Sequence, residues 1–337
     1  MNEKKAYTAV NSFAPRDEEL SVFFKAVGDK KSDGFAVVNN GKVFVIDVGK
    51  HKEDRIIRFL ASLRESWLGD KLPEDGRPAR LEITLIISHA HGDHMGALSL
   101  LLSDERFCVT EIYAPLRARL ADDIPEALPP LVRAEDSLES SCQQLTKQGH
   151  TAAGITRVPF GKPITLSMGS EDAKLTIYPS MFDWSQDRPS ESEGARYIFN
   201  NNPESYKGIE ILGYTNGILN GNSLWVKLTK GERTLLITGD QRSTDEMLNT
   251  MIRYYGEEEF SCDVLKITHH GEENYPPYLL SVAKPKIAVF TTSYEKATRE
   301  TVELCEKMGL TNYYTCDGDL IIHTDGKKLR ASGIKPR

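Results

Sequence analysis

The strongest constraint on the fold is a block of elements that occurs twice in the same order. In the first copy, residues 34–49 (GFAVVNNGKVFVIDVG) read as two alternating apolar runs around Asn39-Asn40-Gly41, the turn chemistry of a β-hairpin, and the second run ends in Asp47. KEDRIIRFLASLRESW follows, with Ile56, Ile57, Leu60 and Leu63 along one helical face. After a polar loop, the apolar strand 81–88 (LEITLIIS) runs into a histidine cluster, and a helix carrying Leu98, Leu101 and Leu102 begins near His94. In the second copy, residues 223–240 (SLWVKLTKGERTLLITGD) form a hairpin turning at Lys230-Gly231-Glu232 and ending in Asp240. The helical TDEMLNTMIRYYG leads to the strand 262–268 (CDVLKIT), which runs into His269-His270-Gly271. A strand at 286–292 and the helix-like RETVELCEKMG complete this half.

Such a duplication predicts an α/β architecture in which two sheets pack face to face with helices outside, and strand ends from both halves meet along one edge. The 337 residues read as a single domain, 1–337. Between the halves, residues 105–222 look less regular. Residues 179–222, rich in Pro, Ser, Asn, Gly and charge, read as an insertion or lid with too little apolar content for a core. Trp184, Tyr197, Phe199, Tyr206 and Tyr214 within it serve either as a surface for bases or a protein partner, or as the insertion's own small core.

No apolar run approaches the roughly 18 residues of a membrane helix, and the lysine-bearing N-terminus has no apolar signal region. A cytoplasmic location is the expectation. Five scattered cysteines without a CxxC pair argue against a disulfide framework or a zinc knuckle. A net charge of -7 repels rather than attracts a polyanion, so a nucleic-acid substrate requires local positive charge from bound metal or a partner.

Five of the eight histidines lie in the two strand-end motifs. In SHAHGDHMGA, His89 and His91 are two apart and share a side of an extended chain, whereas Asp93 and His94 sit where the backbone turns into the next helix. One loop can thus serve two ions. Imidazole and carboxylate donors suit zinc, manganese or iron, and an exposed site with an open position is the catalytic form.

HAHGDH resembles the HxHxDH signature of the metallo-β-lactamase superfamily. VIDVG, LLITGD, DVLKITHHG, LNGNSLWVKL and the tail YYTCDGDLIIHTDGK are similar to the branch that includes the soluble domain of ComEC-type DNA-internalisation proteins. The resemblance runs from about Phe23 to Lys327. It implies a four-layer αββα metallo-β-lactamase-like sandwich binding two divalent metal ions, zinc or manganese. His89 and His91 are implied ligands of one ion, Asp93 and His94 of the other, with Asp240 bridging and His270 completing the second. His269 then touches substrate or orients a ligand, and Asp47 hydrogen-bonds ligands or loop backbone.

The chain departs from the superfamily in the third histidine of the first ion. His51 and His323 are poorly placed, and His150, in KQGHTAAG, reads as a residue just beyond the end of a helix rather than a ligand. Asn220, Asn222 and Ser223 read equally as strand-opening turn residues or substrate contacts, and Lys266 reads first as a solvent-facing strand lysine and second as a cation that neutralises a substrate phosphate. A two-ion site makes hydroxide available near neutral pH; Asp93 can relay its proton while remaining a ligand. The implied activity is a metal-dependent phosphodiesterase or nuclease, with nucleic acid the first substrate to try. The alternatives are an acyl-type hydrolase (lactamase, lactonase or thioesterase) and a partner-dependent subunit engaged through 179–222.

Overall fold

A computed structural model of the chain describes residues 16, 18–27, 31–50, 54–69, 79–115, 139–140, 143, 154–179, 220–241, 246–272 and 276–337. The first hairpin is β2 (Gly34–Asn39) and β3 (Lys42–Val48), preceded by a strand the periodicity did not reveal, β1 (Leu20–Phe24). Asn40 and Gly41 both take positive φ, 43° and 76°, as a two-residue turn matched to strand twist requires. Next come α1 (Arg55–Leu68), β4 (Leu81–Ile86), the short helices α2 (Gly92–Met95) and α3 (Leu98–Ser103), β5 (Phe107–Pro115) and β6 (Ile155–Val158). Then follow β7 (Ile164–Ser167), β8 (Ala173–Tyr178), the second hairpin β9 (Trp225–Lys230) and β10 (Arg233–Ile237), α4 (Glu246–Tyr255) and β11 (Val264–Lys266). The chain ends through α5 (Pro277–Ala283), β12 (Ile287–Phe290), α6 (Arg299–Lys307), β13 (Thr311–Tyr314), β14 (Leu320–Thr324) and β15 (Leu329–Gly333).

These strands form two mixed sheets, ordered β15-β14-β1-β2-β3-β4-β5-β6 and β13-β12-β11-β10-β9-β8-β7. Side-chain alternation along the strands divides the core into layers. Leu20, Val22, Phe24, Phe35, Val37, Phe44 and Ile46 meet Leu175, Ile177, Val226, Leu228, Leu235 and Ile237 between the sheets. The intervening residues Phe23, Ala36, Val38, Val43 and Val45 are buried with Ile56 and Leu60 of α1 and Leu101 of α3. Likewise Leu236, Leu265 and Ala288 are buried with Met251 and Ile252 of α4, Leu280 of α5 and Val302 of α6. Each fully buried aliphatic side chain contributes about 1.5–3 kcal/mol, so both faces of each sheet are held. This is the four-layer αββα sandwich that the duplicated pattern and the resemblance predict.

One expectation needs correction. The stretch 107–178 is not irregular: β5 and β6 extend the first sheet in parallel, and β8 and β7 extend the second beyond β9, each antiparallel to its neighbour. β6 and β7 are the outer strands of their sheets and only four residues long, and exposed positions interrupt the apolar pattern of β5 and β8. The C-terminal hairpin β14-β15 returns to the first sheet and pairs with β1. The insertion 179–222 lies outside the described residues except Pro179 and 220–222, as do its five aromatics, His51 and His150.

The strands that carry the motifs, β3, β4, β10 and β11, all end at one edge. Backbone bonds tie their loops together: Leu224 N to Ser88 O (2.9 Å), Asp33 N to Asp93 O (3.0 Å), Gly49 N to His94 O (3.0 Å) and His269 N to Gly239 O (3.2 Å).

Candidate metal centre

Asp240 Oδ2, on the loop after β10, is the point on which the site converges. His94 Nε2 and His270 Nε2 each lie 3.1 Å from it, and His89 Nε2 and His269 Nε2 each 4.0 Å. His91 turns Nδ1 to within 2.9 Å of His89 Nε2. β4 stops at Ile86, so His89 and His91 lie on a loop and not on an extended strand, yet their rings still meet. Asp93, in α2, brings Oδ2 to 3.6 Å from His270 Nε2. All six predicted ligands therefore gather in one place. Asp93 is the most open carboxylate, with a side chain 18% exposed against 3% for Asp240.

Asp47 stands behind the cluster, buried. Its Oδ1 accepts from Ser88 N (2.8 Å), and its Oδ2 accepts from Ser88 Oγ (2.7 Å) and His94 Nδ1 (2.7 Å). With its proton given to Asp47, the Ser88 hydroxyl oxygen is left to accept from His89 Nδ1 at 3.0 Å. Asp33, which sequence reasoning missed, does for His270 what Asp47 does for His94: its Oδ1 accepts from His270 Nδ1 at 3.0 Å, where Thr291 Oγ1 also lies at 3.0 Å. Asp33, His94, Asp240 and His270 can be grouped as four donors whose atoms lie within 4.8 Å. Asp33 nevertheless faces the Nδ1 side of both rings, 4.0 Å from His94 Nδ1, opposite the nitrogens aimed at Asp240. It therefore orients the His270 ring.

Lys266 is a correction. It is fully buried, not solvent-facing, with Nζ 2.5 Å from Asp33 Oδ2 and 3.6 Å from Asp240 Oδ1. β11 places Val264 between the sheets and Leu265 against the helices, so strand alternation turns Lys266 back into the interior. Ser223 and Asn220 are buried as well; Ser223 Oγ accepts from Asp240 N at 3.0 Å, a support for the carboxylate. His323 pairs with Ser21 and Ser332, in keeping with its poor placement as a ligand.

Backbone strain accompanies the chemistry. Asp47 (φ 56°), His269 (49°) and His270 (60°) all occupy the left-handed region, which costs a non-glycine residue about 1–3 kcal/mol. Gly271 (φ 88°) closes the turn, and a Cβ there would meet Phe290 Cδ1 at 2.3 Å.

The protonation pattern tests whether a cation fits. His94 and His270 commit Nδ1–H to Asp47 and Asp33, so in the neutral ring each Nε2 is a lone pair facing the lone pairs of Asp240 Oδ2. Two further imidazoles aim at the same oxygen. Only an extra proton on each ring or a shared cation relieves this. Burial alone would lower His94 and His270, but Asp240 with Asp47 raises His94 well above its ordinary value, and Asp240 with Asp33 raises His270 to about 10. Burial pushes Asp240 and Asp33 up, and the charges of His270 and Lys266 outweigh it, holding both well below the carboxylate range. His89, lowered by burial and by the charges of His94 and His91, stays neutral and ready to ligate. The donor set, its charge and its geometry fit a divalent cation.

Comparison with family models finds no match, and neither does comparison with curated proteins. Among solved structures, the chain is similar to the metallo-beta-lactamase fold protein YhfI from Bacillus subtilis, at 10% identity over 93% of this chain and 100% of that one (TM-score 0.45). It is similar to Zn(2+)-bound PqqB from Methylobacterium extorquens at 11% identity over 87% and 97% (TM-score 0.46), and to human tRNase Z, short form, at 13% over 82% and 94% (TM-score 0.39). Likeness at this level describes similarity alone; the chemistry of the centre follows from its own side chains.

Proposed function

We propose that the chain is a metal-dependent hydrolase that cleaves phosphodiesters, with nucleic acid the first substrate class. The observation that carries the reading is the convergence of four imidazole nitrogens on Asp240 Oδ2, two of them backed by buried carboxylates. Asp93, His94, Asp240 and His270 would hold one zinc or manganese ion. His89 and His91, sharing Asp240, would hold a second. Among the described residues, His269 is the remaining imidazole near that oxygen, at 4.0 Å, and would touch substrate or orient a ligand.

Bound there, a divalent ion supplies Lewis acidity, lowering the pKa of a water and neutralising charge on the attacked group. The chain's residues do the rest. Asp47 and Asp33 fix the ring orientations of His94 and His270. Substrate approaches past His91 and Asp93, the partly exposed side of the cluster. Burial raises Asp93, but the hydrogen bond from His270 and the charges of His94 and His270 hold it well below the usual range. As the most open carboxylate of the cluster, Asp93 would orient the attacking water. The resemblance of the motifs to the ComEC-type branch favours phosphodiesters over acyl compounds. A protein partner at 179–222 and a cytoplasmic location belong to the same reading; no helix among the described residues is long and apolar enough to cross a membrane.

The test is hydrolysis of DNA, RNA, bis-p-nitrophenyl phosphate and a panel of lactams, lactones and thioesters, with added zinc or manganese, wild type against Asp93→Ala. Phosphodiester cleavage abolished by the substitution supports the proposal. Cleavage of acyl substrates alone assigns the same centre to the acyl class. Activity that appears only with a co-expressed partner assigns the chain to a larger assembly.

A further inference from the structure

We propose that Lys266 is a positioning residue of this centre, its ammonium holding Asp240 directly and His270 through Asp33. The inference rests on the metal-binding reading above and adds to it the device that sets the geometry of two ligands from beneath.

Lys266 enters from β11 into the space between the sheets, where an uncompensated ammonium is costly and a paired one gives stability little that a well-packed apolar side chain would not. What the ammonium does provide is direction. Asp33 has both oxygens fixed, Oδ2 on Lys266 at 2.5 Å and Oδ1 on His270 Nδ1 at 3.0 Å, so the ring of His270 is locked through a carboxylate that Lys266 anchors. The same Nζ lies within ion-pair reach of Asp240 Oδ1, 3.6 Å, which turns Oδ2 toward the four imidazoles. Asp240 N is in turn held by Ser223 Oγ at 3.0 Å. One buried cation thus sets the carboxylate at the hub and a histidine opposite it, and two residues remote in sequence from the HAHGDH loop become part of the same device.

The test separates direction from charge. Zinc affinity is measured by calorimetry for wild type, Asp33→Asn, and Asp33→Asn combined with Lys266→Met, with thermal unfolding followed in parallel. The double replacement leaves neither member of the pair as an unpaired buried charge. Relative to Asp33→Asn alone it removes a positive charge from beside the ion, which by electrostatics would tighten binding. The expected result is the opposite: zinc bound about 10–100-fold more weakly by the double variant than by Asp33→Asn, the range for partners that orient metal ligands. Equal or tighter binding by the double variant overturns the inference and leaves the metal reading standing. A wild type that takes up no zinc overturns both. If the double variant does not fold, a crystal structure of the zinc-loaded wild type decides: Asp240 on the ion through Oδ2 with Lys266 at Oδ1 is expected, and both Asp240 oxygens on the ion overturns the inference.

Discussion

Metal binding should expel protons, and the number follows from the two imidazoles whose Nδ1–H groups are already given away. His270 stands at about 10 in the folded chain. At pH 7 about one molecule in a thousand then has that Nε2 free, so proton competition weakens apparent metal affinity about 1000-fold, easing about tenfold for each pH unit gained. His94, also raised well above its ordinary value, adds a second proton. His89, held neutral, adds none. Calorimetric titration with zinc at pH 7, in buffers of different ionisation enthalpy, should give release of about two protons per ion at the Asp240 centre, and log Kd should fall with pH at a slope approaching two. Affinity independent of pH between 7 and 9, with no buffer-dependent heat, would refute the argument that Asp240 Oδ2 needs either two protons or a cation.

Four further outcomes follow. In chelated protein, His270 is raised from 6.5 to about 10, so its contribution to stability is complete below pH 6.5 and is lost as pH climbs through 10, whereas Asp33 and Asp240, held low, lose theirs as pH falls; a denaturant series should show both flanks. Removing metal with a chelator should lower the unfolding temperature, since an ion at 1,000 times its Kd contributes about 4 kcal/mol; an unchanged melting curve contradicts this. Asp47→Asn tolerates the left-handed backbone at that position but withdraws the charge behind His94 and turns an amide donor on Ser88 N–H or His94 Nδ1–H, so it should weaken metal binding about 10–100-fold and cost about 1–3 kcal/mol of stability, read by calorimetry and thermal unfolding. Gly271→Ala should cost about 1–3 kcal/mol, because its Cβ meets the Phe290 ring and the left-handed turn that presents His270 resists it; a denaturation midpoint equal to wild type would exclude that clash.

Much of the candidate centre was legible because the side chains that gather there sit in short contiguous motifs at the ends of strongly apolar strands. His89, His91, Asp93 and His94 fall within six residues, and Asp47, Asp240 and His270 each follow a run whose alternation is unambiguous. Asp33 and Lys266 were not legible for the converse reason. Asp33 opens β2 after a polar loop, as a turn residue does, and its partner His270 lies 237 residues away. Lys266 sits in CDVLKIT, where a lysine ordinarily points to solvent; only the second sheet face, covered by the first sheet, makes that position interior. The strands β5 to β8 escaped similarly, because exposed positions interrupt the apolar pattern of each. Return of β14 to the first sheet depends on pairing with β1, a contact across almost the whole chain that local periodicity does not encode.

The central claim is that this cluster is a metal centre built on Asp240. Its most direct test is elemental analysis of purified wild-type protein after equilibration with zinc or manganese, beside Asp240→Ala under the same conditions. The account predicts bound metal in the wild type, and its loss or a marked reduction in the variant. A wild type without bound metal, or a variant that retains the wild-type content, contradicts it.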